Sequence, residues 1–131
     1  MNTLAVVIDR PEHLSLSHLQ LPAMEDEDVV VEVEWSGIST GTERLIWTGT
    51  MPMFPGMGYP LVPGYEAVGR VIKVGAASEQ WIGQRVFVPG ARCFGEVKGL
   101  FGGSASRLVV PGQKVVPVAE KLGEQAVLLA L

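Results

Sequence analysis

Glycine and proline restrict this chain more than any other feature of it. Its 16 glycines and 9 prolines are spread along the whole length and cut it into short runs rich in β-branched residues. Proline removes a backbone donor and fixes φ, and glycine weakens a helix interior, so the pattern favours many short strands over long helices. The clearest run is Val29 to Trp35, VVVEVEW, where valine or tryptophan alternates with glutamate. That alternation predicts a half-buried strand. Thr3 to Ile8 is a valine-rich strand ended by Arg10-Pro11-Glu12, and Leu14 to Leu21 is a weaker one with an ambiguous buried face. Further strands are expected over residues 66–74, 86–88, 105–110 and 114–118, with Gly69 at a bulge or a close contact.

The segments between are informative too. Ser36 to Thr42, SGISTGT, reads as a turn, and Thr42 is expected to cap a short helix through Glu43 to Trp47. Thr48 to Pro63 and Pro89 to Ser104 are too punctuated for regular structure and read as two long ordered loops, which are usually functional. From Glu120 onward the residues are helix formers, and the expectation is the start of a helix that the chain end cuts off. The fold class expected is mainly β, a barrel or sandwich with short helices and a helical end.

Composition excludes several functions. At 131 residues the chain is one domain, and 47% hydrophobic against 18% charged residues is a globular balance. A net charge of −4 argues against nucleic-acid binding. No apolar run approaches the ~20 residues of a membrane span, and no secretory signal is evident, so the cytoplasm is the expected location. The single cysteine, Cys93, rules out an internal disulfide and a cysteine-rich zinc lobe, and is expected to be inert packing. His13 and His18 lack metal-ligand spacing and read as ordinary surface histidines.

Two segments go further. VEVEWSGISTGTERL (31–45) and YPLVPGYEAVGRVIKVG (59–75), the latter followed by IGQRVFVPG (82–90), give a strand, a Gly-Ile turn, a loop, PGxExxGxVxxVG and GxxVxV in order. The combination resembles the GroES-like domain of the medium-chain alcohol dehydrogenase/reductase family, over nearly the whole chain. Residues 41–69 and 87–111 are most similar to the branch of that family that oxidises the hydroxyethyl side chain of a bacteriochlorophyllide or chlorophyllide precursor to acetyl in bacteriochlorophyll biosynthesis, with NAD⁺ as hydride acceptor. The resemblance implies a GroES-like barrel over 1–119, residues 120–131 starting a link to a nicotinamide-binding domain, and a truncated chain inactive alone. No GxGxxG follows a strand here, so NAD would be bound mainly elsewhere. A homo-oligomer at full length is compatible with this reading.

Zinc members of the family place a cysteine in the Gly-Ile turn and a histidine before the glutamate. The resemblance puts Ser39 and Tyr65 at those positions, leaving Glu66 as the one good ligand type, so no zinc and no metal site are expected. Alcohol oxidation still needs the hydroxyl proton removed. Ser39, Thr40, Tyr65 and Glu66 lie where the family has its catalytic cleft, and a relay in which Tyr65 or Ser39 contacts the substrate is the expectation, against the alternative that they are structural. Thr40, Thr42 and Arg44 are candidates for cofactor contact; Arg44 could instead pair with Glu66 or belong to a solvated helix face. Trp47, Met53, Phe54, Met57 and Tyr59, with Met51, could line a slot for a flat tetrapyrrole, with Phe101 as the opposite wall; the alternative is that they plug a barrel end. Competing functions are a zinc-less quinone or enone reductase of the same superfamily and a non-catalytic GroES-like binding module.

Overall fold

A computed structural model of the chain describes residues 1–130. Nine strands and one α-helix are present among them, with three short 3₁₀ segments. The strands are β1 (Asn2–Arg10), β2 (His13–Gln20), β3 (Asp28–Ser36), β4 (Leu61–Pro63), β5 (Ala67–Val74), β6 (Arg85–Val88), β7 (Lys98–Leu100), β8 (Arg107–Pro111) and β9 (Val116–Pro117); α1 spans Thr40–Thr48. One sheet has the order β2-β1-β4-β7 and the other β8-β3-β5-β6-β9. An antiparallel bridge between Ala5 and Ala105 joins them, supported by Val6 N–H donating to Ser104 and Ser106 N–H to Leu4. The chain is mainly β and barrel-like, as the punctuation predicts.

The core lies between the sheets. Val29, Val30 and Val31 of β3, Val71 of β5, Val86 and Val88 of β6, and Leu108 and Val110 of β8 are buried there. Three successive residues of β3, Val29 to Val31, are buried, so its first half is covered on both faces, while β5 and β8 pair with it along its two edges. The expected alternation survives only over Glu32, Val33 and Glu34, where Val33 is half-buried between exposed glutamates; Trp35, expected on the buried face, is exposed. Gly69 stands opposite Val33 in the ladder, at a register shift; a Cβ there would lie 2.2 Å from the Glu32 carbonyl oxygen. The close contact is what excludes any side chain at that position.

Both long loops carry a strand that the sequence hides. β4 and β7 pair with each other in parallel, Leu61 with Lys98 through Pro63 with Leu100. Neither triplet has a period of its own: β4 is flanked and ended by prolines, and Lys98-Gly99-Leu100 has a glycine centre. Their pairing is a tertiary event. It creates a second small core of Ile8, Ile46, Leu61 and Leu100, against which Met51, Phe54, Met57, Tyr59 and Phe101 pack.

Two expectations of local structure are corrected. Ser39, not Thr42, is the residue that precedes the first turn of α1, and its side chain makes no capping hydrogen bond. The helix therefore starts three residues earlier, within the small polar run, and ends at Gly49 in the left-handed conformation, with Thr50 N–H donating to the Leu45 carbonyl. The terminal segment Glu124–Ala130 is a 3₁₀ helix rather than the opening of an α-helix. It packs by Ala126 on Val68, Phe87 and Val118, a contact that favours a tight segment laid on the sheet.

Candidate active site

The strand-to-helix passage Ser36–Thr40 and the passage from β4 into β5 meet at one end of the barrel. Gly37 N–H donates to the Glu66 carbonyl at 2.6 Å, which fastens the two together. A Cβ on Gly37 would fall 2.3 Å from Glu66 Oε2 and 3.0 Å from its Cβ, so glycine is what lets the Glu66 side chain lie there. Glu66 is 5% exposed. This is a buried carboxylate placed by backbone contact rather than by a cationic partner.

Tyr65 and Ser39 come together. The Tyr65 hydroxyl donates to Ser39 Oγ at 2.5 Å, across 26 residues of sequence. Phe101 stands edge-on to the Tyr65 ring, with centroids 5.7 Å apart and planes at 83°. The candidate relay and the candidate aromatic wall are thus in contact. Thr40 is the first residue of α1 and is exposed; Thr42, two residues on, is half-buried. Arg44 is exposed and forms no ion pair among the described residues, so no Arg44–Glu66 pair is present.

Sequence reasoning gave Glu43 no chemical role beyond its place beside Arg44, yet it stands out. Both of its carboxylate oxygens are buried without a hydrogen-bond partner. Burial pushes its carboxyl above the usual range; the backbone amides of Ser39 and Glu43, near but outside hydrogen-bond geometry, pull the other way, and the like charge of Glu66 adds to the rise. The TGTE tetrapeptide places this glutamate in the first turn of a short helix, but its burial depends on what packs beside that helix.

The expected wall residues divide. Phe54 and Phe101 line a pocket of about 220 Å³, together with Arg92 and Lys98. Phe101 also lines an adjoining pocket of about 500 Å³. Met57 and Tyr59 are half-buried against the second small core, and the Tyr59 hydroxyl donates to the Ile46 carbonyl. Trp47 is 37% and Met53 82% exposed. Cys93 is buried, and burial pushes its thiol up, which makes it a poor nucleophile. His13 and His18 are exposed on β2.

Zinc requires deprotonated thiolate, neutral imidazole or carboxylate ligands. Around Ser39 and Tyr65 the donors are a serine hydroxyl, a phenol and carboxylates, and no group of three or more His, Cys, Asp or Glu side chains stands together among the described residues. The donor set does not fit a catalytic zinc. No helix among the described residues is long and apolar enough to cross a membrane.

A barrel of short strands with a Gly-Ile turn leading into a short helix, beside a PGxE passage, defines a class, and residues 25–120 match the model of the alcohol dehydrogenase GroES-like domain. The chain belongs to that family. It is 48% identical over 136 residues to the 2-desacetyl-2-hydroxyethyl bacteriochlorophyllide A dehydrogenase of Cereibacter sphaeroides, and 46% identical over 132 residues to the protein of the same name from Rhodobacter capsulatus. All of this chain is covered in both cases, and it spans 43% and 42% of the length of those relatives. Among solved structures it is similar to a short chain alcohol dehydrogenase from E. coli CFT073 complexed with NADH, with a TM-score of 0.77 and 26% identity over 97% of this chain and 42% of that one.

Proposed function

We propose that this chain is the substrate-holding part of an NAD-dependent dehydrogenase that oxidises the hydroxyethyl group of a bacteriochlorophyllide-type tetrapyrrole to acetyl, without zinc. The names of the two relatives at 48% and 46% identity support the substrate. The observation that carries the chemistry is the hydrogen bond from Tyr65 to Ser39 beside Phe101. Because the Tyr65 hydroxyl already donates to Ser39, its oxygen lone pairs are free to accept the proton of a substrate hydroxyl. As that proton arrives, Tyr65 passes its own to Ser39, and Ser39 passes one outward, with Glu66 as the terminal acceptor. Each hydroxyl accepts on one side and donates on the other, so no charge need rest on a high-pKa group.

The nicotinamide, when bound, supplies the hydride acceptor. Thr40, Thr42 and Arg44 at the start of α1 are this chain's groups toward it, and residues 120–131 begin the link to the domain that holds it. Phe54 and Phe101 hold the ring face, while Trp47 from α1 and Met53, Met57 and Tyr59 from the loop before β4 shape the slot. Such an enzyme would work in the cytoplasm, and as a homo-oligomer if the full-length protein associates.

The test is Tyr65→Phe in the full-length protein. Turnover of the hydroxyethyl substrate should fall roughly 100-fold or more, the usual worth of a positioned proton-transfer group, with KM changed only a few-fold. Unchanged turnover would remove Tyr65 from the mechanism. Stoichiometric zinc in the purified active protein would overturn the metal-free relay.

A further inference from the structure

The two pockets beside Phe101 adjoin. They share Arg92, Gly99 and Phe101, and each adds one more cation: Lys98 in the smaller, Lys114 in the larger. No acidic side chain lines either pocket. Arg92, Lys98 and Lys114 make no ion pair among the described residues, whereas Arg70, Arg85 and Arg107 each have a glutamate. Arg10, Arg44, Lys73 and Lys121 likewise form no ion pair among the described residues, so what sets Arg92, Lys98 and Lys114 apart is their grouping around two adjoining pockets that no acidic side chain lines. Lys98 is also laid in place: its Cε lies 2.8 Å from where a Cβ on Gly58 would be, so the bare backbone at Gly58 seats its stem.

A flat ring buried against Phe54 and Phe101 would lose water on its faces. Any carboxylate at its edge must then find a charged partner as it dehydrates. A guanidinium meets a carboxylate through two parallel hydrogen bonds, and neighbouring ammonium groups add to the local positive potential. The larger pocket, at about 500 Å³, is of the size usual for small-molecule sites, ~300–1,000 Å³. Phe101 is also the T-shaped neighbour of Tyr65, so the residue that lines both pockets is in contact with the Tyr65–Ser39 pair.

We propose that Arg92, flanked by Lys98 and Lys114, is the anchor for a carboxylate carried by a planar ring stacked on Phe101. This assigns a specificity-determining site; only the identity of the ring rests on the tetrapyrrole reading above. The three cations select the free acid over its ester, and they fix which end of the ring enters first.

The experiment is a binding titration of the full-length protein with two probe pairs. One pair is the tetrapyrrole free acid and its methyl ester; the other is pyrene-1-butyrate and its methyl ester. Binding is read by pigment or pyrene spectral change. The free acids should bind about tenfold or more tighter than the esters, with the difference shrinking as salt is raised. Arg92→Ala should abolish that preference, and Lys98→Ala with Lys114→Ala should reduce it; circular dichroism of these exposed-residue variants should match the parent. Acid and ester tetrapyrroles binding equally, with Arg92→Ala without effect, would overturn the anchor and leave the tetrapyrrole reading standing. A preference for pyrene-1-butyrate that depends on Arg92, with neither tetrapyrrole bound, would uphold the anchor and overturn the tetrapyrrole reading. Binding of none of the four would overturn both.

Discussion

At the residue scale, the site is built from side chains with unusual surroundings rather than unusual identities. Ser39 and Tyr65 are common residues, but a hydrogen bond of 2.5 Å joins them across 26 residues of sequence. Glu43 is the sharpest case. Its two carboxylate oxygens are orphaned and buried, and an unmade hydrogen bond at a buried acceptor costs about 1–3 kcal/mol. Its carboxyl is raised above the ordinary value by burial, so the folded state holds the proton more tightly than the unfolded state does. The associated stability is fully present below the unfolded pKa and is lost as pH rises through the folded one. Glu43→Gln, which removes the charge and keeps the shape, should therefore raise stability by on the order of 1 kcal/mol at neutral pH. The gain should vanish below the ordinary carboxylate pKa. Urea unfolding at several pH values checks it, and a gain independent of pH would show that Glu43 is not the titrating group. The sequence offered Ser39, Tyr65 and Glu66 through the family pattern. It gave no cue that Glu43 lacks a partner, because a missing partner is a property of the surroundings.

At the scale of elements, backbone approach decides more than side-chain packing. β3 and β5 lie so close at Gly69 that a Cβ would sit 2.2 Å from the Glu32 carbonyl oxygen and 2.8 Å from Val31 Cγ1. The obstacle is largely main chain in a ladder paired on both sides, so it cannot swing aside. Gly69→Ala should cost about 3 kcal/mol, at the upper end for overpacking, read as a lowered denaturation midpoint with an unchanged m-value. A shift of a few tenths of a kcal/mol would mean that the strands part more easily than their ladder implies. The paired triplets β4 and β7 carry the same lesson for legibility. Leu61 and Leu100 are buried, yet each sits in a segment whose prolines and glycines deny it a period. The strands of five residues or more were legible because alternation or a valine run survives in them.

At the scale of the whole molecule, one side chain ties the end of the chain to the barrel. Arg85 is 6% exposed; it donates to Glu34 at 2.8 Å and to the carbonyls of Ala119, Leu122 and Gly123. Those carbonyls belong to the segment that leads into Glu124–Ala130, so Arg85 sets the course of the chain as it leaves β9. Arg85→Leu should cost about 2–3 kcal/mol, since one buried charged donor serving a carboxylate and three carbonyls is lost, and should speed proteolysis after residue 118 ahead of the rest. Arg85→Lys should not restore it, because an ammonium cannot span a carboxylate and three carbonyls at once. Protection of residues 119–123 unchanged in the leucine variant would place the tether elsewhere, on the Arg70–Glu120 pair at the surface. The sequence by itself determined the class: glycine and proline at short intervals forbid long helices, and the ordered motifs over residues 31–90 assign the GroES-like barrel. It also named the donors, because chemistry rides on residue type, and serine with tyrosine cannot do what cysteine with histidine does. Only the tertiary structure decided which of them meet. The pairing of β4 with β7, the turning of Glu43 into the interior and the gathering of Arg92, Lys98 and Lys114 around Phe101 all join residues far apart in sequence or depend on what packs beside them. Local propensity has no term for such contacts.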